Sequence, residues 1–356
     1  VVKVGDRVYT ATENSLFYLD VNDRTINRVN KINGLSDAGI SCMEKSNSND
    51  LIVLAYKSAI IDIINGDSIY SLTDIERENI IGEKNINNIT FYEEDAYLSC
   101  SFGIIELDPI KKEILNTFYL NSSGTLEVID IIFKDDLIYA ATPLGIYEAS
   151  LEDNLSDYNN WSLLVGVENI NDLEVAFDKL YLTKSGSDSI YVWNDMISFV
   201  KSVPNLKFIE AENDRLFVGS RSSLGTLNAS GELTNIIESS NIYSIADVIS
   251  DGQSYWIAEK GKSLLSLSEL GRFQIFTPQG PESNLAYAVT SSGEKVFLSP
   301  GGTSILWNNN NTYEGFYWTN GYEWFDVPYT GLGGARDITT IVEASNGDLL
   351  IGTWNN

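Results

Sequence analysis

Carboxylates are the commonest reactive groups in this chain. Asp and Glu make up 50 of its 356 residues, in neighbouring sets such as Glu93-Glu94-Asp95 and Asp135-Asp136, with others at Asp37 and Asp62. Two carboxyl groups flanking a sugar bond at a defined separation can hydrolyse it, one as acid and the other as base or nucleophile. Most of these residues fall between apolar runs, where Asp and Glu close turns and carry surface charge, so they read as turn residues. Oxygen-rich loops at Asp20-Val21-Asn22-Asp23 and Ser185-Gly186-Ser187-Asp188-Ser189 offer cation ligands. Neither keeps the alternating acidic spacing and terminal bidentate Glu of an EF-hand loop, and both are expected to connect strands. Gly331-Leu332-Gly333-Gly334 lacks the following Lys-Ser/Thr that would make it a phosphate loop. Histidine is absent, which removes imidazole acid–base catalysis, imidazole metal ligation and the Ser-His-Asp triad together. No catalytic residue, metal site or cofactor is expected, and ligand contacts stay unassigned.

The densest aromatic segment runs from Tyr313 through Phe316-Tyr317-Trp318 and Tyr322 to Trp324-Phe325. Exposed rings of this kind could bind sugar faces. Asn320-Gly321 between alternating apolar residues is a strong hairpin signal, however, and predicts paired strands over Phe316–Trp318 and Glu323–Phe325 with about half of the rings in a core. A sialidase-type Asp box, Ser-x-Asp-x-Gly-x-Thr-Trp, is matched neither at Ser291-Ser292-Gly293-Glu294 nor elsewhere, which counts against a glycosidase. Cys42 and Cys100 each lie in an apolar-alternating stretch and read as buried free thiols, with a single bridge between them as the alternative. Only 23 basic residues offset the acids, leaving a formal net charge of −27. Such a field repels phosphate backbones and anionic head groups, so no nucleic-acid partner is expected, although a local basic patch is compatible with it. No apolar run approaches the ~20 residues of a membrane helix, and the opening Val-Val-Lys-Val carries no readable targeting pattern.

The elements that must position these groups come from a repeat. An apolar strand, a turn with an acidic residue, an apolar strand ending in small residues, a second turn and a further strand recur from end to end. Anchored on Asp6, Asp50, Asp95, Asp136, Asp178, Asp214, Asp251, Glu294 and Asp348, the spacings run from 36 to 54 residues. They cluster near the ~40–45 residues of a propeller blade. In the first copy the strands are expected over about Val2–Val4, Val8–Ala11, Leu16–Leu19 and Thr25–Val29. Ala11, Ala55, Ser99, Ala141, Ser220 and Ala258 close the second strands, where small side chains suit sheets converging on an axis. Gly103, Gly145 and Gly225 are placed at the second turn, where positive φ favours Gly. Tyr9, Tyr97, Tyr139, Tyr181 and Phe217 share one strand position and read as packing between neighbouring sheets. The fold class is all-β: a seven-bladed propeller of four-stranded antiparallel blades over residues 1–280, ending at Thr277-Pro278-Gln279-Gly280-Pro281. Residues 281–356 are expected to begin a second propeller, truncated because the last unit stops in mid-blade. A single eight-bladed ring including the unit around Glu294 is the alternative.

Particular phrases carry a resemblance. Phe276-Thr277-Pro278-Gln279-Gly280-Pro281, Val296-Phe297-Leu298-Ser299-Pro300-Gly301-Gly302, Trp318-Thr319-Asn320-Gly321-Tyr322-Glu323-Trp324, Arg336-Asp337-Ile338 and Ile351-Gly352-Thr353-Trp354 resemble the junction between the two propellers of the PorZ family. That family belongs to the type IX secretion system of Bacteroidetes. Val8-Tyr9-Thr10-Ala11-Thr12, Leu16-Phe17-Tyr18 and Asn33-Gly34-Leu35-Ser36 resemble the start of its first propeller. The resemblance implies a non-enzymatic cell-surface scaffold in an attachment complex, exported and associated with the outer membrane. The implied partners are other outer-membrane secretion-complex proteins, together with anionic lipopolysaccharide or another glycan. It fixes no ligand contacts. Two-component regulator propellers share the Ile-Gly-Thr-Trp phrase, so a periplasmic oligosaccharide-sensing domain is the alternative function.

Overall fold

The computed structural model describes residues 1–80, 82–212, 215–238, 242–268, 271–281, 283 and 285–354. The chain divides into two compact units, Val1–Thr277 and Pro278–Asn356. In the first, the described residues form seven four-stranded antiparallel sheets in chain order. The first sheet comprises Val2–Val4, Arg7–Thr12, Ser15–Asp20 and Ile26–Val29, within one residue of the strands expected from turn chemistry. The later sheets repeat this up-and-down order, so the repeat read from the sequence is the repeat of the fold. The innermost strands, one per sheet, are Val2–Val4, Ile40–Lys45, Ile86–Tyr92, Asp130–Lys134, Ile170–Ala176, Leu206–Glu212 and Ile245–Ser250.

Each sheet is apolar on both faces because it is covered by a neighbour on both sides. Val53, Leu54, Ala55 and Tyr56 are all fully buried in succession, a pattern that no half-exposed strand would show. The aromatic position behaves as expected: Tyr9, Tyr97, Tyr181 and Phe217 are buried and Tyr139 is half-buried. Tyr97 of the third sheet meets Phe133 of the fourth edge-on at 4.9 Å, and Phe217 of the sixth meets Tyr255 of the seventh at 5.9 Å. Val8, Phe17 and Leu19 of the first sheet share a cluster with Trp256, Ala258 and Leu264 of the seventh, so the series of sheets returns on itself. Both units are all-β and propeller-like.

Some details differ from the expectation. Asp95 is not a turn residue: Glu93 and Glu94 make that turn, and Asp95 opens the strand Asp95–Cys100. Asp214 lies outside the described residues. Gly103 and Gly145 do have positive φ, 146° and 138°, at the start of a third strand. Gly225 instead sits within the strand Ser223–Leu227, where it lets the carbonyl of Thr234 approach to 2.8 Å of where a Cβ would be. Close approach, and not backbone hand, selects glycine there.

One polar network ties the second sheet to the segment that precedes it. Asp62 is fully buried, and accepts from Tyr56 Oη at 2.6 Å, from the Ser36 hydroxyl at 2.5 Å and from the Ser36 amide at 2.9 Å. Burial and the adjacent carboxylate raise the pKa of the Tyr56 hydroxyl, so it stays a donor. Tyr56→Phe is expected to destabilise the unit by about 2 kcal/mol, because a buried carboxylate loses one donor and nothing replaces it. Chemical denaturation of the two proteins side by side measures this.

The second unit has its own small core of Phe297, Phe316, Ile338 and Ile341. A four-stranded sheet (Ala288–Ser292, Lys295–Ser299, Phe316–Thr319 and Trp324–Val327) stands beside a two-stranded one (Ile338–Glu343 and Leu349–Thr353). Thr290 Oγ1 joins the two by donating to the Ile341 carbonyl at 2.8 Å. The hairpin at Asn320-Gly321 forms with Gly321 at φ 91°, and Asn320 Oδ1 accepts from the amides of Tyr322 and Glu323. Phe316 and Tyr317 are core, Trp318 stacks on Phe325 at 4.1 Å, and Tyr322 is 88% exposed.

Candidate functional site

A cavity of about 1110 Å³ lies where the inner strands converge, and every one of the seven sheets contributes to its wall. Ten carboxylates and a single side-chain cation, Lys45, line it. The charge follows from backbone chemistry. The inner strand of each sheet is an edge strand, and its outward N–H groups have no ladder partner. Carboxylates from the preceding sheet fill that vacancy.

Asp130 of the fourth sheet accepts from the Leu173 amide of the fifth at 2.8 Å, from Asn88 Nδ2 of the third at 2.6 Å and from the Ile131 amide at 2.8 Å. Asp172 of the fifth accepts from Thr183 Oγ1 at 2.7 Å and from the Ile209 amide of the sixth. Glu174 takes the Ala211 amide, and Glu212 of the sixth takes the Ser250 amide of the seventh at 2.6 Å. Asp247 and Asp251 of the seventh reach the first sheet, through the Val1 nitrogen and through Lys3 Nζ at 2.7 Å. The inner strands of the second, fifth, sixth and seventh sheets each carry a register shift near their start, at Ile40/Cys42, Ile170/Leu173, Leu206/Phe208 and Ile245/Asp247. A bulge there re-aims the following side chains.

Crowding the acids has an electrostatic cost. Burial pushes the carboxyl of Asp130 up to about 7 and that of Glu44 up to about 7. Burial also raises Glu174 and Glu210, with the charge of Asp130 adding to the first and that of Glu174 to the second. Asp172 and Glu212 are raised by the same desolvation. A wall of this sign excludes anions from the axis.

The groups singled out in the sequence lie elsewhere. Asp135 and Asp136 form the first turn of the fourth sheet, and Asp135 pairs with Lys134. Asp37 pairs with Lys31 at 3.0 Å, and Asp62 belongs to the buried network. In Asp20–Asp23 the carboxylates bind the loop's own amides: Asp20 accepts from Asn22 at 3.0 Å and Asp23 from Thr25 at 2.9 Å. Asp188 accepts from the Leu206 amide at 3.2 Å. Gly331 and Leu332 end a short 3₁₀ turn that Gly333 caps in the left-handed conformation. Cys42 and Cys100 are free thiols, Cys100 fully buried, and burial pushes the Cys42 thiol up to about 12. The axial carboxylates were not singled out. Their signal is an acid just before a buried apolar residue of the inner strand, Asp130-Ile131, Asp172-Leu173 and Asp247-Val248, in the fourth, fifth and seventh sheets.

Residues 8–162 match the family described as the PorZ N-terminal β-propeller domain of the type IX secretion system. Over those residues the chain is similar to a PorZ-type propeller. PorZ of Porphyromonas gingivalis, an essential bacterial surface component of that organism's type IX secretion system, superposes with a TM-score of 0.74 at 19% identity. The superposition covers 99% of this chain and 49% of that one, so this chain spans about half the length of that PorZ. The extracellular domain of a protein assigned to a hybrid two-component system of B. thetaiotaomicron matches at a TM-score of 0.54 and 11% identity, over 92% of this chain and 52% of its own. A catalytically inactive histidine-to-alanine variant of virginiamycin B lyase from Staphylococcus aureus matches at a TM-score of 0.54 and 13% identity, over 83% and 95%. At these identities the solved structures share the fold. No curated protein matches the sequence. No helix among the described residues is long and apolar enough to cross a membrane.

Proposed function

We propose that this chain is a PorZ-type propeller and a non-enzymatic scaffold of a type IX secretion attachment complex, exported and held at the outer membrane. It binds other secretion-complex proteins and anionic lipopolysaccharide through its rim. The observation that carries the reading is the match of residues 8–162 to the PorZ propeller family. The likeness to P. gingivalis PorZ over 99% of the chain supports it. Within the reading, residues 1–280 are a seven-bladed propeller and 281–356 open a second, an assignment supported by the seven consecutive four-stranded sheets before Thr277.

A non-catalytic role accords with the chemistry of the axis. Several of its carboxylates already accept backbone N–H groups of the next sheet, so moving a proton or a sugar onto them would release those donors. The S. aureus lyase was made catalytically inactive by replacing a histidine, and this chain contains none. The acidic axis also turns away polyanions, which leaves the rim loops for recognition. A periplasmic oligosaccharide sensor is the second reading, and the likeness to the two-component extracellular domain favours it.

Affinity capture separates the two. The tagged chain, mixed with detergent-solubilised outer membranes of a type IX-secreting bacterium, is expected to retain other secretion-system components above a scrambled-bait control. Recovery of none of them, with heat of binding to a neutral oligosaccharide instead, would replace the scaffold by the sensor.

A further inference from the structure

One hollow of about 510 Å³ runs against the charge of the whole molecule. It lies at the corner where the sixth and seventh sheets meet, lined by Asn205, Lys207, Arg221, Tyr243, Ser244, Lys260 and Gly261. Three cations converge on it in a chain of net charge −27. Topology brings them together. Lys207 is the second residue of the inner strand of the sixth sheet, and Arg221 follows its second strand, its amide donating to the Asn205 carbonyl at 3.2 Å. Lys260 occupies the matching place after the second strand of the seventh sheet, its amide donating to the Ser244 carbonyl at 3.0 Å.

In the second sheet the corresponding residue is Lys57, whose amide likewise donates to Gly39, and there the ammonium is neutralised by Glu13 at 2.6 Å. At the corner of the sixth and seventh sheets, no described carboxylate lies within ion-pair distance of Lys207, Arg221 or Lys260. All three are exposed or half-exposed and able to turn toward a ligand. The carboxylate under the floor is Glu259, buried to 3%, and its oxygens are taken by the amides of Tyr243 and Ser244 at 2.7 Å and of Gly261 at 2.8 Å. Those three bonds fix the two loops that carry Tyr243 and Lys260, so the hollow is held open without a ligand. Tyr243 is 67% exposed, with the Arg221 guanidinium 5.4 Å from its ring centroid. A guanidinium beside a ring supplies a fork for an oxyanion and a flat apolar wall next to it.

We infer that this corner is an oxyanion site for a phosphate monoester whose organic part lies against Tyr243. Lys207 and Lys260 act as point charges, and Arg221 bonds two oxygens at once. The site stands on its own residues and does not depend on the secretion role.

Calorimetric titration in low-salt buffer tests it with phenyl phosphate, inorganic phosphate and phenol. Phenyl phosphate is expected to bind more tightly than inorganic phosphate, and phenol not at all. Each of Lys207→Ala, Arg221→Ala and Lys260→Ala should weaken phenyl phosphate about tenfold, while thermal unfolding stays where it was because none of the three side chains is buried. Tyr243→Leu should bring phenyl phosphate down to the level of inorganic phosphate. Equal affinity for both phosphates would overturn the role given to Tyr243. No heat with either phosphate, or heat unchanged in the triple variant, would overturn the site. Failure to capture secretion components, with the phosphate titration intact, would strike only the scaffold reading.

Discussion

Gly145→Ala is expected to cost the first unit about 4 kcal/mol and to lower its melting temperature by roughly 10 °C. Gly145 has φ 138°, a region in which an L side chain is strained whatever space surrounds it. Here there is no space either: a Cβ would overlap the carbonyl oxygen of Val165 on the outer strand of the same sheet. That oxygen is backbone, so relief requires the outer strand to leave the sheet or the turn after Thr142 to open. The turn is itself tied by Thr142 Oγ1 donating to the Gly145 carbonyl at 2.8 Å. Gly66→Ala is the matched control: its φ is 58°, nothing lies within 4 Å of the added methyl, and a loss of only ~1 kcal/mol is expected. Urea unfolding of the two variants against the parent decides the matter. Equal losses would mean that the outer strand is held too loosely for the overlap to count.

The thermal stability of the first unit should fall as pH rises from 5.5 to 8, by about 6 °C at constant ionic strength. The carboxyls of Asp130 and Glu44 lie near 7 in the folded chain, and those of Glu174, Glu210, Asp172 and Glu212 are raised as well, all chiefly by burial. In the unfolded chain all of them ionise near ~4. Between these limits the folded state holds more protons than the unfolded one, so its advantage is complete below about 4 and is lost as pH climbs through about 7. Since most of these side chains are only partly buried, the combined effect is set at about 3 kcal/mol, well below the full shift. Two carboxyls shift the other way: Asp37 and Asp251 are held at about 2, Asp37 by hydrogen bonds and Asp251 by Lys3 and Trp256 despite its burial. Their contribution disappears only on strong acidification, which places the stability maximum on the mildly acidic side. Calorimetric scans at successive pH values, repeated on the Glu174→Gln, Glu210→Gln double variant, provide the check. The variant should flatten the decline, and a parent melting temperature that rises toward pH 8 would refute the assignment.

How much of the molecule is legible in its sequence depends on range. Strands and turns are readable because alternation and turn residues are local: Val2–Val4 and the Asn320-Gly321 hairpin lie where their own residues put them. So is the repeat, since each copy spells the same local pattern. Gly225 was misplaced because close approach of a neighbouring strand leaves no mark on the flanking sequence, whereas the positive φ of Gly103 does. The axial carboxylates were passed over because Asp130 and Asp172 look like any other acids among 50 until their donors, Leu173 and Ile209 on the next sheet, are known. The basic corner is less legible still. Lys207 and Arg221 meet through strand pairing within the sixth sheet, and only its stacking on the seventh adds Lys260.

The links from carboxylates to backbone amides of the next sheet all point the same way round: Asp130 takes such a donor from the fifth sheet, Asp172 and Glu174 from the sixth, and Glu212 from the seventh. In chain order each of these acceptors therefore precedes its donor, which lies on the sheet that follows. The series closes through the seventh sheet, where Asp247 and Asp251 find their partners at Val1 and Lys3, the earliest residues of the chain.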